Sequence, residues 1–276
     1  MNLCHVPDLR SLLERHGLSP TKKWGQHFLV SENVVRAILA AVPADVLGVL
    51  EVGPGPGVLT SPLSSRAQVV AVEVDPIAVS ALTESAPSAK VIEGDALQVD
   101  FPALLNALPG PRAIVSNMPY NITGPLLTAF NRCRDEFGCA ILMMQREVGD
   151  RILAPPGDRD MGSLSVLLQS RFLVSHVINV PGGAFFPPPK VDSVVLKLVP
   201  RDLDWSSEFD ALHERIARAA FTQPRKTLSN NLKSVGIDRE AWLEISAELG
   251  WSDTIRPHQV QLGEWERLSR WWDARQ

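Results

Sequence analysis

The order of patterns between residues 45 and 200 limits the fold more than any other feature of this sequence. Short runs rich in β-branched residues alternate there with segments whose apolar residues recur at helical spacing. Such alternation is typical of a parallel sheet covered by helices on both faces. The predicted strands are VLGVLEV (46–52), AQVVAVEV (67–74), AKVIEG (89–94), RAIVSN (112–117) and CAILMMQ (139–145). We therefore predict an α/β fold with a Rossmann-like sheet.

The pattern changes after Pro200. Strand-like alternation disappears, and four amphipathic helical segments follow: EFDALHERIARAAF, RKTLSNNLKSVG, DREAWLEISAELG and GEWERLSRWWDA. They predict a small all-α domain at the C-terminal end of the chain. We place the boundary between an α/β domain of residues 1–203 and a helical domain of residues 204–276.

Composition excludes some classes of protein and restricts others. The 276 residues are 45% hydrophobic and 21% charged, which is enough for a full core. We expect a cytoplasmic protein without membrane contact, because no apolar run has the length of a membrane helix. The three cysteines lack metal-ligand spacing and predict reduced thiols rather than a metal site. Because the net charge is −4, a nucleic-acid partner would require basic residues gathered on one surface.

A glycine-rich motif, EVGPGPGVLT, follows the first predicted strand and opens a helix. Gly53, Gly55 and Gly57 allow a tight turn and bring a ligand close to the main chain. A simple tight turn without a ligand is the alternative. The dinucleotide fingerprint needs a glycine five positions after the first, and Val58 stands there, which argues against a pyrophosphate ligand.

Acidic residues lie at the ends of the next two predicted strands. Glu73 is placed to accept both hydroxyls of a ribose, and Asp95 in IEGDAL can accept the amine of an adenine. A helix N-cap explains Asp95 alone equally well. Glycine and acid sites at three successive strand ends are harder to explain as caps, and they predict an S-adenosylmethionine pocket.

The fourth strand runs into IVSNMPYNITGP. Pro119 disfavours a helix at Met118, so Asn117 and Tyr120 are held on a rigid turn at the carboxyl end of a strand. Ligands bind at that edge of open α/β sheets. We predict that this turn forms the wall of the pocket at which an amino group is methylated.

These residues carry a resemblance that runs from about Lys22 to the last helix. The sequence resembles the KsgA-type rRNA adenine dimethyltransferases in KKWGQHFL, EVGPGPGVLT, VEVD, GDAL, NMPYNI, VPGGAFFPPPKVDSVVLKLVP and AFTQPRKTLSNNL. The resemblance implies methyl transfer from S-adenosylmethionine to N6 of two adjacent adenosines near the 3′ end of small-subunit (16S) rRNA. It implies a role in small-subunit maturation, with the rRNA of an assembling small subunit as partner and a protein that acts as a monomer.

The resemblance also assigns roles to single residues. It places the cofactor against His27, Leu29, Gly53, Glu73, Asp95 and Asn117. His27 stands where the family usually has asparagine, and Met118 replaces a common leucine. The catalytic residues are Asn117, Tyr120 and Phe185: the Asn117 oxygen and a carbonyl of Met118-Pro119 accept the two N–H bonds of the target amine, and the two rings stack on the base. A core position for Phe185 is the alternative.

Two other functions stay open on the sequence alone. The Erm-type enzymes methylate a large-subunit adenosine, although FFPPPKVDS and the long helical tail resemble the KsgA type more closely. A non-catalytic RNA- or DNA-binding factor on the same fold is the second alternative, and the intact Asn117 and Tyr120 argue against it.

One segment gathers basic residues, as a nucleic-acid partner would require in a chain of negative net charge. RIARAAFTQPRKTLSNNLK (215–233) has five basic residues and no acidic one, within a chain of 27 basic and 31 acidic residues. A solvated helix face is the ordinary explanation. We predict instead that Arg215, Arg218, Arg225 and Lys226 hold the rRNA backbone, with Lys22, Lys23 and Lys190 nearer the target base.

Overall fold

The computed structural model describes residues 2–19 and 26–276. Its strands are β1 (Phe28–Leu29), β2 (Gly48–Val52), β3 (Gln68–Glu73), β4 (Lys90–Glu93), β5 (Arg112–Asn117), β6 (Cys139–Gln145), β7 (Phe172–Val180), β8 (Phe185–Phe186) and β9 (Ser193–Pro200). Its helices are α1 (Val6–His16), α2 (Glu32–Ala41), α3 (Thr60–Ser64), α4 (Pro76–Ser85), α5 (Phe101–Asn106), α6 (Thr123–Arg132), α7 (Arg146–Leu153), α8 (Ser163–Arg171), α9 (Ser207–Ala220), α10 (Leu228–Leu232), α11 (Arg239–Leu249) and α12 (Leu262–Asp273).

The main sheet has the strand order β4-β3-β2-β5-β6-β9-β7. Strands β2 to β6 are parallel, as the sequence predicts, and each predicted strand lies within two residues of its observed bounds. Strand β9 runs antiparallel to β6 and pairs Ser193 with Gln145. Because of this reversal, the first residue of β9 reaches the edge at which the parallel strands end. Strands β7 and β9 are not among the predicted strands.

The apolar sequences of the central strands favour a parallel sheet that is covered on both faces. Every residue of β2 is buried, and β5 and β6 are buried except at their ends. Continuous apolar runs of this kind are expected when helices cover both faces of a sheet. The helix that follows β3 begins as its sequence predicts, because the Asp75 side chain accepts the Ile77 N–H at 3.0 Å and Pro76 occupies the first turn.

The chain divides into two compact units. One comprises the residues up to Gly149 together with Val174–Pro200, and the other comprises Asp150–Leu173 with Arg201–Gln276. The second unit therefore includes a segment that the predicted boundary at 203/204 leaves in the α/β domain. Helix α8 packs with α9 and α12, and its Val166 and Leu167 belong to the helical core. The sequence pattern does not indicate that α8 belongs to the helical unit, because α8 lies in the part of the chain where helices and strands still alternate.

Each unit has its own core. The core of the first unit joins α1, α2 and α4 to the sheet, and the core of the second is rich in tryptophan, with Trp242 and Trp265 fully buried. The predicted helices of this second unit are present, although the second of them begins at Leu228 rather than at Arg225. No helix within residues 2–19 and 26–276 has both the length and the apolar character to cross a membrane.

Candidate cofactor and base pocket

A pocket lies at the edge where the parallel strands end. It is lined by the segment around β1, the glycine turn after β2, the ends of β3 and β4, and the turn after β5. The predicted cofactor residues all line it: His27, Leu29, Gly53, Glu73, Asp95 and Asn117. Residues up to 90 positions apart in the sequence thus line one cavity, largely because parallel strands end at the same edge of the sheet.

The glycine turn keeps bare main chain against the pocket. Gly53 has φ +68° and Gly55 has φ +55°, in the left-handed region that favours glycine. A Cβ on Gly55 would lie 3.1 Å from the Phe28 ring. The Gly53 N–H is held by the Val72 carbonyl at 3.0 Å. Side chains on this turn would be strained and would fill space that a ligand can use.

Glu73 is anchored by main-chain N–H groups. Its Oε2 accepts the Gly55 N–H, and its Oε1 accepts the N–H groups of Val74 and Asp75, each at 3.0 Å. The residue is 6% exposed, and burial raises the pKa of its carboxyl group. A carboxylate oxygen has two lone pairs, so Oε1 is fully used by its two N–H donors, whereas Oε2 keeps one accepting position for a ribose hydroxyl.

Asp95 is half-buried at the end of the next strand. Its Oδ1 accepts the Leu97 N–H at 2.9 Å, whereas its Oδ2 makes no hydrogen bond with a described residue. The helix cap of this region is Asp100, whose side chain accepts the Ala103 N–H at the start of α5. The alternative interpretation of Asp95 as a helix N-cap is therefore wrong, and one oxygen is left for an adenine amine.

The Asn117 side chain is oriented by a contact from far along the chain. Its Nδ2 donates to the His27 carbonyl at 3.2 Å, and no described residue donates to its Oδ1, which can therefore accept. The Met118 N–H donates to the Met143 carbonyl at 2.9 Å. The Pro119 carbonyl already accepts the Ile122 N–H and the Thr123 hydroxyl. Of the two predicted backbone acceptors, the Met118 carbonyl is the one that described residues leave open.

Tyr120 begins a 3-10 turn, Tyr120–Ile122, directly after Pro119. Its ring lies 6.0 Å from the His27 ring at an interplanar angle of 24°. His27 Nδ1 donates to the Pro187 carbonyl at 2.8 Å, so this nitrogen carries the proton. The Tyr120 hydroxyl lies 2.7 Å from the Ser193 hydroxyl. Burial raises the pKa of Tyr120. Sequence reasoning did not find Ser193, which comes from a strand 73 residues away.

Glu51 is a second pocket residue that sequence reasoning missed. It is 1% exposed, lines the cavity, and its Oε2 makes no hydrogen bond within the described part of the chain. Burial raises the pKa of its carboxyl group to about 8. The available signal was an acid inside the otherwise apolar strand GVLEV, directly before the glycine turn. A buried acid with an open oxygen indicates a site for a cation or a donor.

Phe185, predicted to stack on the base, does not line the pocket. It is 3% exposed, belongs to the core of the first unit, pairs with Leu29 across β8 and β1, and is absent from the pocket lining. The structure thus places this ring in the core rather than at the base. The short β1–β8 pair fixes its main chain there.

The predicted RNA-binding residues are exposed where the structure describes them. Arg215, Arg225, Lys226 and Lys190 lie on the surface. Arg218 is exposed too, but it donates to Glu214 at 2.8 Å, one turn earlier on α9, which offsets part of its charge. Lys22 and Lys23 lie outside the described residues.

Comparison with known proteins decides the family. A sequence model of the family described as ribosomal RNA adenine dimethylase matches residues 18–267. The chain belongs to the ribosomal RNA adenine dimethylase family. It is 38% identical over 274 residues to the ribosomal RNA small subunit methyltransferase A of Magnetococcus marinus, covering 97% of each chain.

Solved structures of similar fold agree with this assignment. A dimethyladenosine transferase from Plasmodium falciparum is 27% identical with a TM-score of 0.74, covering 88% of this chain and 96% of that one. The 23S rRNA methyltransferase ErmE is 26% identical with a TM-score of 0.68, covering 89% and 99%. Membership of the adenine dimethylase family confirms the predicted fold class, enzyme class and S-adenosylmethionine cofactor.

Proposed function

We propose that this adenine dimethylase modifies two adjacent adenosines near the 3′ end of small-subunit (16S) rRNA, leaving each as N6,N6-dimethyladenosine. It acts in the cytoplasm as a monomer, on the rRNA of an assembling small subunit. The observation that carries the proposal is the Asn117–Tyr120 turn, which forms one wall of a pocket whose other walls fit the cofactor. The small-subunit target is supported by the names of relatives that match almost the whole chain.

The polar groups of the pocket fit S-adenosylmethionine. Glu73 would accept a ribose hydroxyl through Oε2, Asp95 Oδ2 would accept the adenine amine, and the buried Glu51 carboxylate would pair with the α-ammonium group. The bare main chain of Gly53 and Gly55 leaves room for the ligand to approach closely. When bound, the cofactor supplies an electrophilic methyl group on a sulfonium.

The Asn117 turn would orient the amine that is methylated. The lone pair on adenine N6 is delocalised into the ring, so the two N–H bonds must be held in a geometry that frees it. Asn117 Oδ1 and the Met118 carbonyl provide two acceptors at neighbouring positions of one rigid turn. The Tyr120 ring would stack on the base and stabilise the positive charge that develops on N6. Because Phe185 lies in the core, we leave it out of the base-binding set.

Two groups of basic side chains would hold the RNA. Arg215, Arg218, Arg225 and Lys226 would contact phosphates through the helical unit, and Lys22, Lys23 and Lys190 would lie nearer the target nucleotide. Arg225 and Lys226 are the sharper pair to test, because both are exposed and their side chains make no hydrogen bond or ion pair with a described residue, whereas Arg218 is paired with Glu214.

The target is tested by mass spectrometry of rRNA nucleosides. Cells that lack this chain should lose N6,N6-dimethyladenosine from small-subunit rRNA and regain it when the chain is restored. The purified protein should methylate unmodified small subunits and leave large-subunit rRNA unmodified. Methylation of large-subunit rRNA alone would replace this proposal with the Erm-type activity, and no transfer to either RNA would favour a non-catalytic binding protein.

The RNA surface is tested by salt dependence. Binding of the parent protein to small-subunit RNA should weaken with salt, with a log–log slope of about −0.7 to −0.9 per phosphate contact. The double variant Arg225→Glu, Lys226→Glu should abolish this binding or flatten the slope, while cofactor titration stays unchanged. The matched control is Glu240→Gln, a single exposed charge change on α11. Parental affinity and slope in the double variant would mean that this segment is a solvated surface.

A further inference from the structure

Ser193 is a buried polar residue that the fold alone does not explain. It is fully buried, and the residues that follow it in β9 are the apolar Val194, Val195 and Leu196. A buried hydroxyl destabilises a protein unless it finds a hydrogen-bond partner. The partner that the structure gives Ser193 is the hydroxyl of Tyr120, at 2.7 Å. The hydroxyl at this position is therefore directed toward a pocket residue rather than toward the main chain of its own sheet.

The position of Ser193 is itself secured on both sides. It pairs with Gln145, the last residue of β6, and so lies at the edge of the sheet where β5 delivers Asn117. The preceding residue, Asp192, accepts the Arg146 N–H on its carbonyl and the Gly182 N–H on its carboxylate, both at 3.0 Å. A serine fixed in this way offers a rigid partner to the tyrosine.

Tyr120 would be less well fixed without this partner. Pro119 sets the main chain before it, and the His27 ring contacts it on one side at 6.0 Å between centroids. Neither contact determines how the phenol lies about its own side-chain torsions. The hydrogen bond at the far end of the ring adds that constraint, because it ties the hydroxyl to a second strand.

We propose that Ser193 is a positioning residue for methyl transfer, which holds the Tyr120 ring in the plane at which the target adenine stacks. This rests on the proposed function, in which Tyr120 grips the base. Ser193 does not touch the reacting atoms and acts through the tyrosine. Small displacements of a positioning group can cost large factors in rate, because the reacting atoms must meet at short range.

A double-variant comparison tests the positioning role. Ser193→Ala and Tyr120→Phe remove the same hydrogen bond from opposite ends, so each should slow single-turnover methyl transfer by roughly tenfold. The double variant should be no slower than either single variant, because the shared bond can be lost only once. Cofactor affinity should stay at the parental value in all three.

The bond can also be observed without any substrate. Tyr120 is the only tyrosine of the 276 residues, so a carbon-13 label on the tyrosine ring gives one set of signals. The signal of the ring carbon that bears the hydroxyl should shift in Ser193→Ala. The matched control is Ser165→Ala in the helical unit, which also removes a buried hydroxyl, here one bonded to the Arg151 carbonyl at 2.6 Å, and should leave the tyrosine signal in place.

Three results would overturn the inference. They are parental turnover of Ser193→Ala with an active parent enzyme, rate losses that multiply in the double variant, and a tyrosine signal that does not move when Ser193 is replaced. Failure of the proposed function gives a different result, since the parent protein would then fail to methylate small-subunit rRNA while the tyrosine signal would still respond to Ser193.

Discussion

The two halves of the pocket are held in place by different kinds of contact. On the cofactor side, Glu73 and Asp95 bond N–H groups close to them in sequence or on the neighbouring glycine turn. On the base side, Asn117 is held by a carbonyl 90 residues away, Tyr120 by a serine 73 residues away, and His27 by a carbonyl 160 residues away.

This difference separates binding from catalysis. These main-chain contacts form when a strand, the turn after it and the adjacent glycine turn fold, so the cofactor side is pre-organised by neighbouring βα units. The base side needs β1, β5 and β9 together with the proline segment to be in place at once. We therefore expect substitutions on the cofactor side to change affinity, and substitutions on the base side to change the rate of transfer.

The largest effect is expected from Asn117→Ala. Loss of the Oδ1 acceptor should slow methyl transfer about 100- to 1,000-fold, as removal of one fixed hydrogen-bonding group at a reacting centre does in other enzymes. Cofactor affinity should fall only modestly, because the main work of this group is done in the transition state. Single-turnover rates at saturating cofactor measure the first effect, and calorimetric titration measures the second.

Asn121→Ala is the matched control for Asn117→Ala, since Asn121 lies on the same turn with an exposed side chain. It should keep the parental rate. Tyr120→Ala should lower the rate as Asn117→Ala does. A near-parental single-turnover rate in either the Asn117 or the Tyr120 variant would contradict the expectation that substitutions on the base side slow methyl transfer.

Glu51 should make stability depend on pH. Its pKa is raised from 4.5 to about 8 in the folded protein, so the folded state holds a proton that the unfolded state releases. The resulting stability is complete below about pH 4.5 and is lost as pH rises through about 8, at up to roughly 1.4 kcal/mol per pH unit. Glu51→Gln should remove this loss, which denaturant unfolding at several pH values will measure.

Glu51 also links stability to the cofactor. If its carboxylate pairs with the α-ammonium group, cofactor binding below pH 8 should release a proton, which calorimetry in buffers of different ionisation enthalpy detects. Glu51→Gln should bind the cofactor more weakly and without that proton release. Equal proton release in parent and variant would assign the proton to another group.

Glu73→Ala should give a smaller loss, confined to binding. The hydrogen bonding of this charged carboxylate to the ribose is worth about 1 to 3 kcal/mol in cofactor affinity. Because Glu73 also accepts three main-chain N–H groups, Glu73→Gln is the informative companion: it keeps the size of the side chain but replaces one acceptor oxygen by a donor. Unchanged S-adenosylmethionine affinity in Glu73→Ala would contradict its placement at the ribose.

The same difference explains what the sequence could predict. Gly53, Glu73, Asp95 and Asn117 lie at or just after the ends of strands that the sequence shows as apolar runs, and parallel strands bring these ends to one edge of the sheet. Ser193 was not predicted because its strand is antiparallel and its partner is chosen by tertiary packing. Phe185 was expected at the base, yet it lies in the core because β8 pairs with β1. Strands of two residues are too short to be recognised from the sequence pattern.

The smallest effect is expected from His27→Asn, and it tests where the boundary between the halves lies. Histidine here both lines the pocket and contacts the Tyr120 ring, while its Nδ1 donates to the Pro187 carbonyl. Asparagine can keep the donated hydrogen bond but not the ring contact, which is worth about 0.5 to 1.5 kcal/mol.

Methyl transfer by His27→Asn should therefore fall about two- to tenfold, with cofactor affinity little changed. His27→Ala, which loses both contacts, should fall further in rate, and the difference between the two variants measures the bond to Pro187. If instead His27→Asn lost cofactor affinity at a parental transfer rate, the imidazole would belong to the cofactor side. The base side would then begin at Asn117, and the main-chain carbonyl of residue 27, which accepts the Asn117 amide, would be one connection between the two halves.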